Sequence, residues 1–541
     1  MIATQKAFSE KSATRPNLIL AICCISLLLV AMDVTIVNVA LPAIQRDLHA
    51  TLSELQWIVD AYTIVVASLL MLAGSVSDRY GRRRVFQIGL CLFTFGSLLC
   101  SLAPSVGGLI EFRALQGLGA SMLNPVALSI IANAFSSPRD RARAIGIWGA
   151  VYGLSLALGP LLGGALTQSV GWRAIFWVNV PIGVAAVVLT AKFVPESKAP
   201  HARAFDPVGP ILILCVLASL TYSVIEGPNA GWGSPRILAL FAVSAVLFAT
   251  FLRYEWQRKE PLLELRFFRS VPFSSAAVTA LCVFACFAAF LFLNAIYLQQ
   301  QRGLSAFDTG LYTLPIALVL MLSAPLSGRL VGSYGPHPSL LAAGVGFLCS
   351  AGLLLDLGVQ TPTWVLMLSY LSFGLALGMV NPAITNNAVA GMPLSQAGVA
   401  AAIASTGRQV GAALGVAIAG TVVSSRHGHG ADFACLENVL YARRVAKSCR
   451  YSRSWSLTRR KIYELSGSGM FSISRGRSRV RRGLARPIVR CDRLVVLHSH
   501  RRDQTNESPV QCSSSPTAYS ISSQPSRSGH RSLPYPTKWD A

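Results

Sequence analysis

Three ionisable residues stand inside apolar runs of this chain: Asp33 in "SLLLVAMDVTIVNVALP", Asp60 in "WIVDAYTIVVASLLML" and Arg113 in "LIEFRALQGLGAS". A charged side chain at the centre of a bilayer-spanning helix costs about 2.5–3.5 kcal/mol on insertion scales, so such residues are kept for a use. Desolvation favours a neutral carboxyl, whereas a nearby guanidinium favours an ionised one. A change of surroundings can therefore load or release a proton. A carboxylate is also the natural counterion of a lipophilic cation.

The elements that must hold these residues follow from composition. Of 541 residues, 53% are hydrophobic and 13% charged, against roughly 25% charged in soluble globular proteins. Apolar runs of about 20 residues recur along the chain, which defines an all-α polytopic membrane protein. They fall at 18–41, 55–76, 85–103, 106–128, 144–167, 174–194, 208–228, 236–253, 272–298, 309–331, 339–357, 363–383 and 399–423. The sequence therefore predicts thirteen spans. With the N-terminus inside, the inner loops hold 19 Lys and Arg, among them Arg79, Arg82, Arg83 and Arg84. The outer loops hold only Arg46, Arg173, Arg236 and Arg302. That asymmetry fixes the orientation. Lys6, Lys11 and Arg15 ahead of the first run imitate a signal peptide, but the run is too long for one and reads as an uncleaved first helix.

The net charge of +24 does not point to nucleic acid. Residues 426–541 hold 22 Lys and Arg against 7 Asp and Glu, so the tail supplies +15 and the remainder +9. The tail lacks an apolar run long enough to span and is dominated by Arg and Ser. Three readings fit it: an arm for nucleic acid or anionic lipid, a disordered extension, or a reading-frame shift near codon 425 that replaces a fourteenth span. The abrupt change of character favours the last. Eight of the twelve Cys lie in apolar runs, and no Cys/His ligand spacing appears, so disulfides and zinc are not expected. No Walker loop and no catalytic constellation outside the tail is present, which argues against a nucleotide-driven pump and against an enzyme.

Motifs then narrow the class. "GSVSDRYGRRRVF", Gly74 to Phe86, joins the second and third spans. Gly74 and Gly81 are expected to permit close approach and unusual backbone angles. Asp78 suits a helix N-cap, and Arg79 and Arg82 suit the headgroup zone. Its spacing resembles the signature loop of the major facilitator superfamily. In that family the aspartate docks on another helix's N-terminus and latches the inner side. The resemblance gives that role to Asp78, on the helix beginning near Val399. Arg113, Gln116, Gly117 and Gly119 resemble the second motif of the family. In "SLALGPLLGG", Ser155, Gly159 and Gly163 recur every four residues, with Gly164 on an adjoining face, which suits close helix packing. Pro160 bends the helix. Its Gly-Pro-x-x-Gly-Gly order resembles the antiporter motif.

"MDVTIVNVALP", "WIVDAY", "GWRAIFWVNVPIG", "FDTGLYTLP" and "GRQVGAALGVAIAG" resemble the fourteen-span drug:proton antiporters of the EmrB/QacA type. The resemblance covers about residues 15–425. It implies a six-helix bundle over 1–195, an inserted helix pair over 205–255 and a second bundle over 270–425, incomplete because the fourteenth span is missing, followed by the 426–541 tail. The implied activity is export of amphipathic or cationic drugs driven by proton motive force, with no bound cofactor and no nucleic-acid partner. The lipid bilayer surrounds it, a bacterial inner membrane is its expected location, and a periplasmic adaptor and outer-membrane channel are further partners the resemblance suggests. An exporter of an endogenous metabolite or siderophore, or a non-functional product of a broken gene, would fit the same residues.

Within that frame each charge acquires an expected role. At about 1.5 Å per residue, Asp33, Asp60 and Arg113 lie about 5, 8 and 6 Å outward of their span midpoints, so one shared polar cluster is geometrically possible. Asp33 is assigned to proton coupling and Arg113 to tuning it. Asp60, with Trp57 and Tyr62, is assigned to substrate recognition. The alternative for Asp60 is an interfacial residue close to water. Thr35 and Asn38 share a face nearly opposite Asp33, so only one set can point straight into a cavity. Arg408, beside Gly407, Gly411 and Gly415, suits either gating or helix packing.

Overall fold

In a computed structural model, the residues described are 15–135, 137–198, 206–258, 261, 263–355, 357–390 and 397–426. The basic tail, with the proposed change of reading frame, lies outside them, as does the segment just before Val399. Among the described residues the chain is helical and contains no strand.

The first half comprises α1 (Pro16–Leu48), α2 (Leu52–Tyr80), α3 (Arg82–Ser101), α4 (Val106–Ala134), α5 (Pro138–Ser169), the short α6 (Ala174–Trp177) and α7 (Asn179–Phe193). Next come α8 (Val208–Ala230) and α9 (Pro235–Gln257), then α10 (Val271–Ile296), α11 (Ala306–Tyr334), α12 (Pro336–Leu353), α13 (Thr363–Val389) and α14 (Ala397–Arg426). Each of the thirteen apolar runs overlaps a helix of this set. Eleven of the described helical segments are long and apolar enough to cross a bilayer. The helices over Pro336–Leu353 and Ala397–Arg426 are not among those eleven.

Local chemistry sets the boundaries. Thr51 and Glu54 form a reciprocal cap at the start of α2, in which Thr51 N donates to Glu54 Oε2 at 2.7 Å and Glu54 N to Thr51 Oγ1 at 3.2 Å. Ser105, Ser137, Ser234 and Ser305 cap later helices one way only, each hydroxyl accepting from the backbone N–H three residues on.

Apolar side chains of α1–α5 and α7 form one core around Phe86, Phe93, Leu123 and Ile131. Those of α10–α14 form another around Phe287, Phe347, Tyr370 and Phe373, into which Leu156 of α5 also packs. A third cluster joins Ile36, Ile44 and Ile58 to Phe292, Ile296 and Val416, and so spans both halves. The two halves meet along α2 against α14 and α5 against α11, while α8 packs on α2 and α14.

Polar contacts across that seam sit at the ends away from the arginine-rich loops. Gln56 Nε2 of α2 donates to the Val416 and Ala417 carbonyls of α14 at 3.1 and 2.8 Å. Gln299 Nε2 donates to Val39 O at 2.8 Å, Gln300 Nε2 to Gln45 Oε1 at 2.6 Å, and Phe307 N to Gln168 Oε1 at 3.3 Å. Towards the basic end, Gly146 and Gly149 of α5 and Gly328 and Gly332 of α11 face open space. Met71 of α2 there packs on an apolar cluster containing Ala400 and Ile403. The outer end of the seam is hydrogen-bonded shut, and the α5 and α11 glycines lie open at the inner end.

Candidate functional site

Asp33 of α1 points at α4 and is wholly buried, as is Arg113 at 1% exposed. Arg113 Nη1 donates to Asp33 Oδ2 at 2.6 Å and to Gln116 Oε1 at 2.7 Å. Gln116 Nε2 donates to Asp33 Oδ1 at 2.9 Å, so both carboxylate oxygens are occupied. Arg113 Nε donates to the Ile58 carbonyl of α2 at 3.1 Å, and its guanidinium stacks 4.3 Å above the Tyr62 ring. Arg113 is therefore tied to α2 independently of Asp33, and the carboxylate of α1 is the partner it can release. A charge-assisted pair with each remaining group satisfied is the arrangement a low-dielectric interior tolerates.

Two glycines let α4 come close enough to do this. A Cβ on Gly117 would stand 2.7 Å from the Tyr62 carbonyl oxygen of α2. One on Gly119, about 200° further around the helix, would collide with the backbone of Phe93 and Gly89 in α3. The Gln-Gly-x-Gly spacing thus wedges α4 between two helices and seats Arg113 and Gln116 beside Asp33.

Asp60 does not join this network. Its stripe on α2, with Trp57, Ile64 and Ala67, faces Ile213, Leu214 and Leu217 of α8 and Val410 and Ala413 of α14. Both of its buried carboxyl oxygens lack a hydrogen-bond partner among the described residues. Trp57 packs against Tyr222 of α8 with ring centroids 6.0 Å apart, while Tyr62 lies under Arg113. The expected grouping of Asp60, Trp57 and Tyr62 is therefore split: one step of two residues turns Tyr62 about 200° away from Asp60. Depth along the helix axis sets the three charges level but does not set their rotation, and rotation decides which side chains meet.

The glycines of α5 divide their work. Cβ atoms on Gly159 and Gly163 would run into Thr35 and Ile36 of α1. A Cβ on Gly164 would run into the Ala306 and Phe307 backbone of α11, and one on Gly310 into the Pro160 carbonyl. Gly159 and Gly163 therefore seat α5 on α1, whereas Pro160 and Gly164 form its outer contact with the other half. Thr35, opposite Asp33, faces this α5 contact, and Asn38 donates within its own helix to Val34 O at 2.8 Å.

The α2–α3 loop departs from expectation at two places. Gly81 has φ +119°, as a left-handed turn residue should, but Gly74 sits inside α2 with nothing within 4 Å of a Cβ. Gly74 therefore serves no close contact here. Asp78 does not cap α3; it accepts from Arg82 Nε at 3.1 Å and Nη2 at 2.8 Å one turn away. Arg79 is exposed, its guanidinium 5.9 Å from the Tyr80 ring. The cap comes from Glu196, which accepts from Arg83 N at 3.1 Å and Arg84 N at 3.3 Å. A carboxylate at a helix N-terminus meets free N–H groups and the positive end of the dipole. Distance in sequence hid it: 113 residues separate Glu196 from Arg83. A Cβ on Gly81 would stand 2.6 Å from Glu196 Oε1, and its φ is unsuited to L side chains. Gly81→Ala is expected to cost about 1–3 kcal/mol and lower the thermal midpoint of the purified protein.

Arg408 of α14 lies beside the glycine ridge that presses α14 onto α10, where Cβ atoms on Gly411 and Gly415 would run into the Leu281 and Ala285 backbone. Its Nη2 donates to Thr385 Oγ1 of α13 at 3.2 Å.

The chain is thus a helical membrane protein whose first half holds a buried Asp–Arg–Gln network and whose two halves meet along a hydrogen-bonded seam. The family model described as Major Facilitator Superfamily matches residues 23–416, and the chain belongs to that family. It is 36% identical over 408 residues to the tetracenomycin C resistance and export protein of Streptomyces glaucescens, covering 75% of each chain. It is 36% identical over 401 residues to the multidrug resistance protein Stp of Mycobacterium tuberculosis, covering 74% of each. The methylenomycin A resistance protein of Bacillus subtilis is 33% identical over 435 residues, or 80% of this chain and 93% of that one. In fold it is similar to the human organic anion transporter MFSD10 (TETRAN), with TM-score 0.53 at 17% identity, covering 80% of this chain and 98% of that one.

Proposed function

We propose that this chain is a fourteen-span-type drug:proton antiporter that exports amphipathic drugs from a bacterial inner membrane, drawing on proton motive force. The observation that carries this reading is the buried Asp33–Arg113–Gln116 network, seen together with relatives named for drug resistance and efflux.

The network offers a route from a proton to a movement. Arg113 stays on α2 through Ile58 O and Tyr62 whether or not Asp33 holds it. Protonation of Asp33 removes one charge-assisted pair, worth about 1.5–3 kcal/mol, and frees α1 from α4. The same helix carries Val39, six residues or about 9 Å further out, whose carbonyl receives Gln299 from the other half. Loosening α1 therefore reaches the outer seam directly, which links the protonation of Asp33 to whether that seam holds. Alternation between closure at one end and the other is then the transport cycle.

Expression of the whole chain in a drug-sensitive bacterial host is expected to raise the inhibitory concentration of at least one amphipathic drug. Asp33→Asn, present in the membrane at equal amount, is expected to remove that protection. Full protection by Asp33→Asn would rule out the coupling role, and efflux of a cellular metabolite without drug protection would favour the metabolite exporter.

A further inference from the structure

Resting on the exporter reading, a second intramembrane charge speaks to the class of substrate. Arg408 projects where α14 meets Phe284 of α10, Thr385 of α13 and Tyr152 of α5. Its guanidinium lies 5.8 Å from the Phe284 ring centroid, and Tyr152 stands near enough to interact with it electrostatically. The position therefore draws on helices of both halves. Thr385 Oγ1 is a neutral acceptor for Nη2, while Nε is buried and has no hydrogen-bond partner among the described residues.

No carboxylate among the described residues pairs with Arg408. Asp33 has both oxygens engaged by Arg113 and Gln116. Asp60 stands on the stripe of α2 that faces α8 and the opposite flank of α14, at Val410 and Ala413. A cation held at mid-span without a counterion is costly and is kept where a partner arrives from elsewhere. Beyond Phe284 the packing is aromatic: Phe284 lies 6.1 Å from Phe287 within the second-half core, and the half-buried Phe290 stacks 4.5 Å from Phe373.

We propose that Arg408, with Tyr152, forms a subsite for an ionised acidic group, and that the substrates of this transporter are planar amphipathic acids bearing a carboxylate or phenolate. The guanidinium takes the anion through its free Nε–H, and the flanking Phe284 and Tyr152 rings take the ring system. This runs against the cationic class expected from the carboxylates alone.

The test is direct binding to the full chain in lipid nanodiscs, using radiolabelled 2-naphthoate as the acid and ethidium as the cation. Wild-type protein is expected to bind 2-naphthoate, Arg408→Lys to bind it within about threefold, and Arg408→Gln at least about tenfold more weakly, the loss of one charge-assisted hydrogen bond. Ethidium binding is expected to be unchanged or tighter in Arg408→Gln. On wild-type protein alone, unlabelled 2-naphthoate is expected to displace the label at least about tenfold better than neutral 2-naphthamide, because only the acid offers a charged acceptor. Equal displacement by the amide, absence of 2-naphthoate binding, or wild-type affinity in Arg408→Gln would each overturn the proposal. Binding is read apart from transport. Failure of wild-type everted vesicles to move any probe would count against the exporter reading alone.

Discussion

Arg113→Ala is expected to destabilise the first half by about 3–5 kcal/mol and to abolish transport. The substitution leaves Asp33 buried with a single neutral donor, Gln116, and strips the Ile58 carbonyl and Tyr62 ring of their partner. An unfolding midpoint lowered by many degrees and a sharply reduced yield of membrane-inserted protein are the readouts. The charge-neutral pair Asp33→Asn with Arg113→Gln separates the two consequences. It removes both charges at once, so it is expected to recover much of the stability, and it leaves no group of this network able to exchange a proton. Stability regained without transport is the expected pattern. Proton-driven transport by the pair would show that coupling lies elsewhere.

Gly164→Leu is the second large effect, and it differs in kind. Gly164 meets the backbone of Ala306 and Phe307, which cannot yield as a flexible side chain would. A leucine there wedges α5 from α11 at the outer end and leaves the cores of both halves intact. Overpacking of about 1–3 kcal/mol falls on the outer-closed arrangement alone, which shifts the balance between arrangements by about 5–150-fold. Transport is expected to fall by that order while the protein remains folded. A cysteine introduced by Phe307→Cys is expected to become more reactive to a membrane-impermeant thiol reagent. Gly163→Leu supplies the contrast, because Gly163 packs on Ile36 within the first half and its cost falls on folding instead. Equal loss of thermal stability in the two variants would contradict the separate roles given to these neighbours.

Much of this architecture was legible in the sequence because bilayer-length apolar runs and arginine-rich loops are one-dimensional signals. Asp33, Arg113 and Gln116 were also legible as costly or motif-bearing residues, and depth along the helices placed Asp33, Asp60 and Arg113 level. What depth cannot give is rotation about the helix axis. That is why Asp60 was grouped with Tyr62 although they leave α2 on different faces, one towards α8 and α14 and the other towards Arg113. The same limit applies to α5, where Gly163 and Gly164 are adjacent in sequence yet serve different partners.

Glu196 was missed for another reason. Its partners are the backbone N–H groups of Arg83 and Arg84, and a backbone amide leaves no mark in the residue types of a motif. Gln56, Gln299 and Gln300 were likewise silent. Each is a neutral side chain near a span end, where polarity costs little and signals little, yet they hold the outer seam.

The most direct measurement is proton flux in proteoliposomes that contain the full chain and an internal pH-sensitive dye. With an imposed pH gradient, adding a transported drug is expected to accelerate proton movement in the opposite direction. Asp33→Asn is expected to remove that drug-dependent component. Drug movement at the same rate with and without the gradient, or an unchanged proton flux in Asp33→Asn, would contradict proton-coupled export through the Asp33–Arg113 pair.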